Sequence, residues 1–126
     1  MRRNVWALTM TPTQRTLALL RKHGWTVQVV ERWCSFSRRR IDLFGIIDIL
    51  AINQNCTIGI QTTSGSCMSA RVKKALANDA LKIWLSSPNR KFVVHGWVKR
   101  KKTGKWEARE VALELDGDQL KVVGDE

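Results

Sequence analysis

From Leu43 to Ile52 the chain runs Leu-Phe-Gly-Ile-Ile-Asp-Ile-Leu-Ala-Ile, an almost continuous apolar stretch with one carboxylate, Asp48, set inside it. A basic segment precedes this stretch and the turn-forming Asn53-Gln54-Asn55 follows it. Residues 41–52 therefore read as a central strand covered on both faces. Burying an unpaired carboxylate there is expensive, so Asp48 needs a hydrogen-bonding partner or a metal ion. A strand covered on both faces also requires elements on each side, and the rest of the chain supplies them. Thr11 can cap a helix with Pro12 at its first position, and Arg21, Lys22 and His23 close it before Gly24. Residues 25–31 alternate Trp25, Val27 and Val29 against Thr26 and Gln28, which predicts a first strand.

After the Asn turn, residues 56–63 read as a third strand, antiparallel to the second. Ser64-Gly65-Ser66 breaks it. Residues 68–86 then take helical spacing, with Val72, Leu76, Ala80 and Ile83 on one stripe, and Pro88-Asn89 ends the helix. Residues 91–98 and 106–115 read as strands joined by a basic turn, with a last edge strand around Leu120 to Val123. The order α-β-β-β-α-β-β predicts an α/β fold: one domain over residues 1–126 with a mixed, twisted sheet flanked by two helices. Its core lies at about 11–115 and its acidic end at 116–126.

The formal charge is +11, unevenly placed: residues 1–105 carry +16 and the remainder −5. A field of that size attracts polyanions, which makes nucleic acid the expected partner; a soluble surface that is simply basic, or one suited to anionic lipid, would carry the same charge. No window approaches the ~18 consecutive apolar residues of a membrane span. The basic opening Met1 to Trp6 lacks the apolar stretch and cleavage site of a signal peptide, so a reducing, cytoplasmic setting is expected. Cys34, Cys56 and Cys67 are odd in number and show no zinc-ligand spacing, which argues against disulfide and zinc-finger scaffolds.

On a straight strand Asp42 and Asp48 would point to one side but lie roughly 20 Å apart, too far to act as a carboxylate pair. The hairpin at Asn53 to Asn55 would instead bring Gln61 and Thr63 towards Asp48. Arg38-Arg39-Arg40 and Lys99-Arg100-Lys101-Lys102 read as loops that grip a phosphate backbone, and Ser64 with its Gly-Ser neighbours sits at a helix start suited to a phosphate or to an ordinary cap. Trp33 and Trp97 lie near the basic runs and could stack on bases or belong to the core. Glu31 could be a further metal ligand or pair with Arg32 or Arg40.

A helix, a strand, a strand bearing Ile47-Asp48, a strand bearing Gln61-Thr62-Thr63 and a long basic helix together resemble the PD-(D/E)xK nuclease superfamily over residues 11–98. The layout is most like the small Holliday-junction resolvases and related phage-type nucleases. The resemblance implies a restriction-endonuclease-like fold in which Asp48, Gln61 and the Thr62 carbonyl hold Mg²⁺ or Mn²⁺. It places Thr63 where a lysine is expected and Gln14 where resolvase-like members carry a further acid. Thr63 cannot serve as a cation, so Lys73 or Lys74, near Arg71 on the next helix, would be the migrated lysine. The expected activity is metal-dependent hydrolysis of DNA phosphodiesters, on branched DNA such as Holliday junctions, where symmetric cutting of two strands implies a homodimer. The alternative is a catalytically impaired DNA-binding protein of the same fold, since Gln61 leaves Asp48 as the only charge at that metal site.

Overall fold

The Thr11 hydroxyl accepts a hydrogen bond from the Gln14 amide (3.1 Å), and Gln14 Oε1 accepts one from the Thr11 amide (2.9 Å). This reciprocal box fixes the start of α1 (Pro12–Lys22). Gly24, at φ +86°, turns the chain out of the helix into β1 (Thr26–Val29). The structure, a computed structural model, describes residues 10–125; Met1 to Trp6 lie outside them. There follow β2 (Arg32–Cys34), β3 (Arg39–Ile41), β4 (Ile49–Ile52), β5 (Thr57–Ser64) and a 3-10 turn at Gly65–Cys67. The chain continues through α2 (Met68–Leu76), α3 (Asp79–Leu85), β6 (Arg90–Lys99), β7 (Trp106–Asp116) and β8 (Gln119–Asp125).

The fold is α/β, with a mixed six-stranded sheet in the order β1-β4-β5-β6-β7-β8; β2 and β3 form a separate two-stranded ribbon. Only β5 and β6 run parallel within the six-stranded sheet, and α2 with α3 supplies the long connection that a parallel pair requires. Strand alternation sorts the side chains to two faces. Leu17 and Leu20 of α1 pack on Ile49, Ala51 and Ile60, whereas Met68 and Ala75 of α2 and Leu81 of α3 join Phe92, Val94 and Leu113. On the α2 side Gly96 is required by close approach: a Cβ there would meet Met68 Cγ and Sδ at 2.2 Å. Between α1 and the sheet, buried Thr16 accepts from Trp97 Nε1 (2.9 Å) and pairs with His95 Nδ1 (3.1 Å), while His95 Nε2 bonds Glu110. Trp97 is thus a core residue.

Three expectations are corrected. Residues 41–52 are not one strand: the chain reverses at Phe44 (φ +55°) and Gly45 (φ +79°), Leu43 bridges to Ile47, and only Ile49–Ile52 pair as β4. Ile46 and Ile47 are fully buried through that reversal rather than along a strand, and an apolar run read in one dimension does not separate the two. Arg38-Arg39-Arg40, expected in a loop, belong instead to the turn and returning strand of the β2–β3 hairpin, in which Trp33 faces Arg40 and Cys34 faces Arg39. The helix expected over 68–86 breaks at Ala77 and Asn78. Asn78 Oδ1 accepts from the Leu81 amide (3.1 Å) and so caps α3 as a new helix.

Candidate active site

Asp48 enters the sheet between two strands, and its backbone organises both. Its amide donates to the Ile60 carbonyl (2.8 Å) on β5, and its carbonyl accepts from the Val30 (2.8 Å) and Glu31 (3.3 Å) amides just beyond β1. Glu31 is therefore placed by the same residue that supplies the buried carboxylate. The reversal at Phe44-Gly45 returns Asp42 to the same point. Asn78 Nδ2 holds that reversal by donating to the Phe44 carbonyl (2.9 Å). The left-handed conformation at Phe44, a residue with a Cβ, costs about 1 to 3 kcal/mol, and such strain is characteristically retained next to functional groups.

As a result, carboxylate oxygens of Glu31, Asp42 and Asp48 lie within 4.8 Å of one another. This corrects the expectation that Asp42 and Asp48 are too far apart to act together: the turn cancels the extended separation. Asp48, only 4% exposed, accepts at Oδ2 from the Thr62 amide (2.8 Å), the Thr62 hydroxyl (3.2 Å) and Gln61 Nε2 (3.4 Å). Gln61 Nε2 also donates to Asp42 Oδ2 (3.0 Å). Burial, reinforced by a hydrogen bond and like charge from Asp42 and by Glu31, pushes the Asp48 carboxyl up to about 7, with the Thr62 amide pulling the other way. Gln61 is 2% exposed, and its Oε1 has no hydrogen-bond partner among the described residues. The Gln61 amide thus turns its nitrogen to Asp42 and Asp48 and leaves its oxygen as a buried acceptor without a partner, which is costly.

These groups line a cleft of about 330 Å³, together with Pro12 and Thr13 at the start of α1 and the cations Arg40, Arg71 and Lys74. Arg40 reaches Glu31 at 3.7 Å. Thr13 is a contributor that the sequence reading missed: its hydroxyl bonds that of Thr62 (2.8 Å), so α1 braces the strand that carries Gln61 and Thr62. A Thr beside the helix cap carries no sequence signal for that role. In an extended strand a residue's N–H and C=O leave on the same edge, so the Thr62 carbonyl faces the Asp48 edge as its amide does.

Other expected residues lie elsewhere. Gln14 is consumed by the capping box and does not line the cleft. Thr63 is buried but does not line it either. Lys73 falls in a different groove with Met68, Ser69 and Val111, which separates it from Lys74. Exposed Ser64 bonds Ser66 (3.2 Å) next to the 3-10 turn, and Arg38 and Arg39 are exposed on the β2–β3 hairpin. Lys99, Arg100, Lys101 and Lys102 stand at the β6–β7 turn, where Arg100 pairs with Glu107 (2.7 Å). That hairpin meets α1 through Arg15, stacked 4.1 Å over the Trp106 ring.

No family model, no curated protein and no solved structure matches this chain. Among the described residues no helix is long and apolar enough to cross a membrane.

Proposed function

We propose that the cleft is a divalent-metal site for phosphodiester hydrolysis in DNA, on a fold that resembles the restriction-endonuclease-like core. The observation that carries this reading is the convergence of Glu31, Asp42 and Asp48 in one cleft, with the Gln61 amide against Asp42 and Asp48. All the donors are hard oxygens, as Mg²⁺ or Mn²⁺ prefers, and the second and third carboxylates supply the charge that Gln61 lacks. Asp48, Asp42 and Glu31 would hold the ion, with the Thr62 carbonyl as a neutral ligand and Gln61 Oε1 as another once its amide turns over from the carboxylates. When bound, the ion acidifies a water molecule and offsets charge on the phosphoryl oxygens.

The chain's own residues do the rest. Arg71 and Lys74 present cations to a phosphate entering the cleft, with Lys74 the better placed of the two lysines on α2. Thr62, braced by Thr13, holds Asp48 by two hydrogen bonds and fixes which of its oxygens stays open. The +16 body of the chain draws the polyanion in without reading its sequence. Branched DNA is the proposed substrate shape, and a homodimer would provide the two sites that symmetric junction cutting needs.

The test is cleavage of labelled four-way junction, flap, duplex and single-stranded DNA with Mg²⁺ or Mn²⁺, comparing wild type with Asp42→Asn and Asp48→Ala. Metal-dependent cutting that both variants lose is the expected result. A second reading, DNA binding without cutting, draws on one observation: Gln61 Nε2 already donates to Asp42 and Asp48 and partly neutralises the pair. Salt-sensitive binding by all three proteins without cutting would establish that reading instead.

A further inference from the structure

The β2–β3 hairpin begins immediately after Glu31 and ends immediately before Asp42, so two of the three converging carboxylates are its feet. Residues 32–41 contain four arginines and no acid. Among them stand two aromatic side chains with little cover: Phe36, 98% exposed in the turn, and Trp33, 59% exposed. Trp33 is directly opposite Arg40 across the ribbon, and Arg40 lines the cleft, so the Trp33 face of the ribbon continues into the site. An apolar tip flanked by Ser35 and Ser37 and backed by arginines is poorly suited to a protein core, but it matches nucleic acid in both its parts: cations for phosphates and rings for bases.

We propose that this hairpin is a stacking wedge that selects DNA with unpaired bases, with Phe36 and Trp33 taking exposed bases while the adjoining backbone lies in the cleft. The inference rests on the nuclease reading for its position but not for its chemistry. Three strand residues at ~3.3 Å each, plus the turn, put the tip roughly 10 to 15 Å beyond the feet. At ~3.4 Å per base-pair step, the paired-to-unpaired boundary would lie about three or four steps from the phosphate in the cleft. Because its feet are Glu31 and Asp42, the wedge is tied directly to the site and reports where strands separate relative to it.

The test measures binding by fluorescence anisotropy in EDTA, so that no cutting intervenes. The ligands are a forked duplex with unpaired arms and a fully paired duplex of equal length, each offered to wild type, Phe36→Ala and Phe36→Trp. Phe36 is solvent-exposed, so Phe36→Ala folds as wild type does, which circular dichroism checks. The expected result is about a fivefold to a hundredfold loss on the fork with Phe36→Ala, little change on the paired duplex, and recovery with Phe36→Trp. Equal losses on both ligands, or none on either, would overturn the wedge and leave the nuclease reading standing. Adding Mg²⁺ to the wild-type fork complex separates the converse case: Phe36-dependent binding without cutting upholds the wedge and refutes the nuclease.

Discussion

Replacing Asp48 with Asn tests the electrostatics of the cleft without reference to any substrate. In the folded protein the Asp48 carboxyl titrates at about 7, against an ordinary value of 3.8. Between those two pH values the folded state binds a proton that the unfolded state does not, so this group makes stability fall as pH rises across the window. The penalty is absent below about pH 4 and complete above about pH 7. A shift of about three pH units, at about 1.4 kcal/mol each, makes it at most on the order of 4 kcal/mol, because Asp42, bonded to Asp48, shares the titration. The side chain is only 4% exposed, so solvent screening reduces it little. Asn keeps an oxygen to accept from the Thr62 amide and turns an amide towards Asp42, but it carries no charge to bury. Metal-free Asp48→Asn is therefore expected to match wild type near pH 4 and to exceed it increasingly towards pH 8. For a chain of this length that bound corresponds to a gain of at most about 15 °C in Tm. Thermal melts of both proteins in EDTA from pH 4 to 8 measure this, and millimolar Mg²⁺ should narrow the gap at pH 8 by stabilising wild type alone. A constant difference between the two proteins across the pH range would refute the account of a strained, partly protonated carboxylate.

If the cleft cuts DNA as proposed, Lys74→Ala should reduce cleavage about a hundredfold or more while Lys73→Ala leaves it within a few-fold, as single-turnover rates would show. Thr16→Val removes the partner of both Trp97 Nε1 and His95 Nδ1 and should cost about 1 to 3 kcal/mol in urea unfolding. Gly96→Ala forces Met68 out of its place over β6 and should cost about 1 to 3 kcal/mol in the same assay.

Much of the scaffold was legible in residues whose signals are local. Thr11 and Pro12 mark the start of α1, and the Asn53 to Asn55 turn sets the antiparallel pairing of β4 with β5. The pattern failed where tertiary packing chose between local options that look alike. Phe44-Gly45 is a turn because Ile46 and Ile47 fill the core beneath α2 and α3, yet the same letters fit a buried strand. Beyond Asn78 the helical stripe changes phase: Leu81 is fully buried while Ile83, expected on the buried side, is 71% exposed. The candidate site inherits both outcomes. Asp48 was singled out by its apolar neighbours alone, whereas its association with Asp42 depends on the unforeseen turn.

Asn78 gives the helix break a meaning beyond capping. One amide side chain closes the first turn of α3 with its oxygen and grips the Phe44 carbonyl with its nitrogen. The α2–α3 joint and the carboxylate turn are consequently fastened at Asn78, one helical turn beyond Lys74, and again where the Phe44 ring meets Trp84 of α3. Lengthening the joint by one residue would shift Asn78 against the turn and load the remaining ties that keep Asp42 by Asp48, the Gln61 amide and the Leu43–Ile47 bridge. The joint thus links the spacing of acid and cation, and its length is constrained by the cleft as well as by the helices it connects.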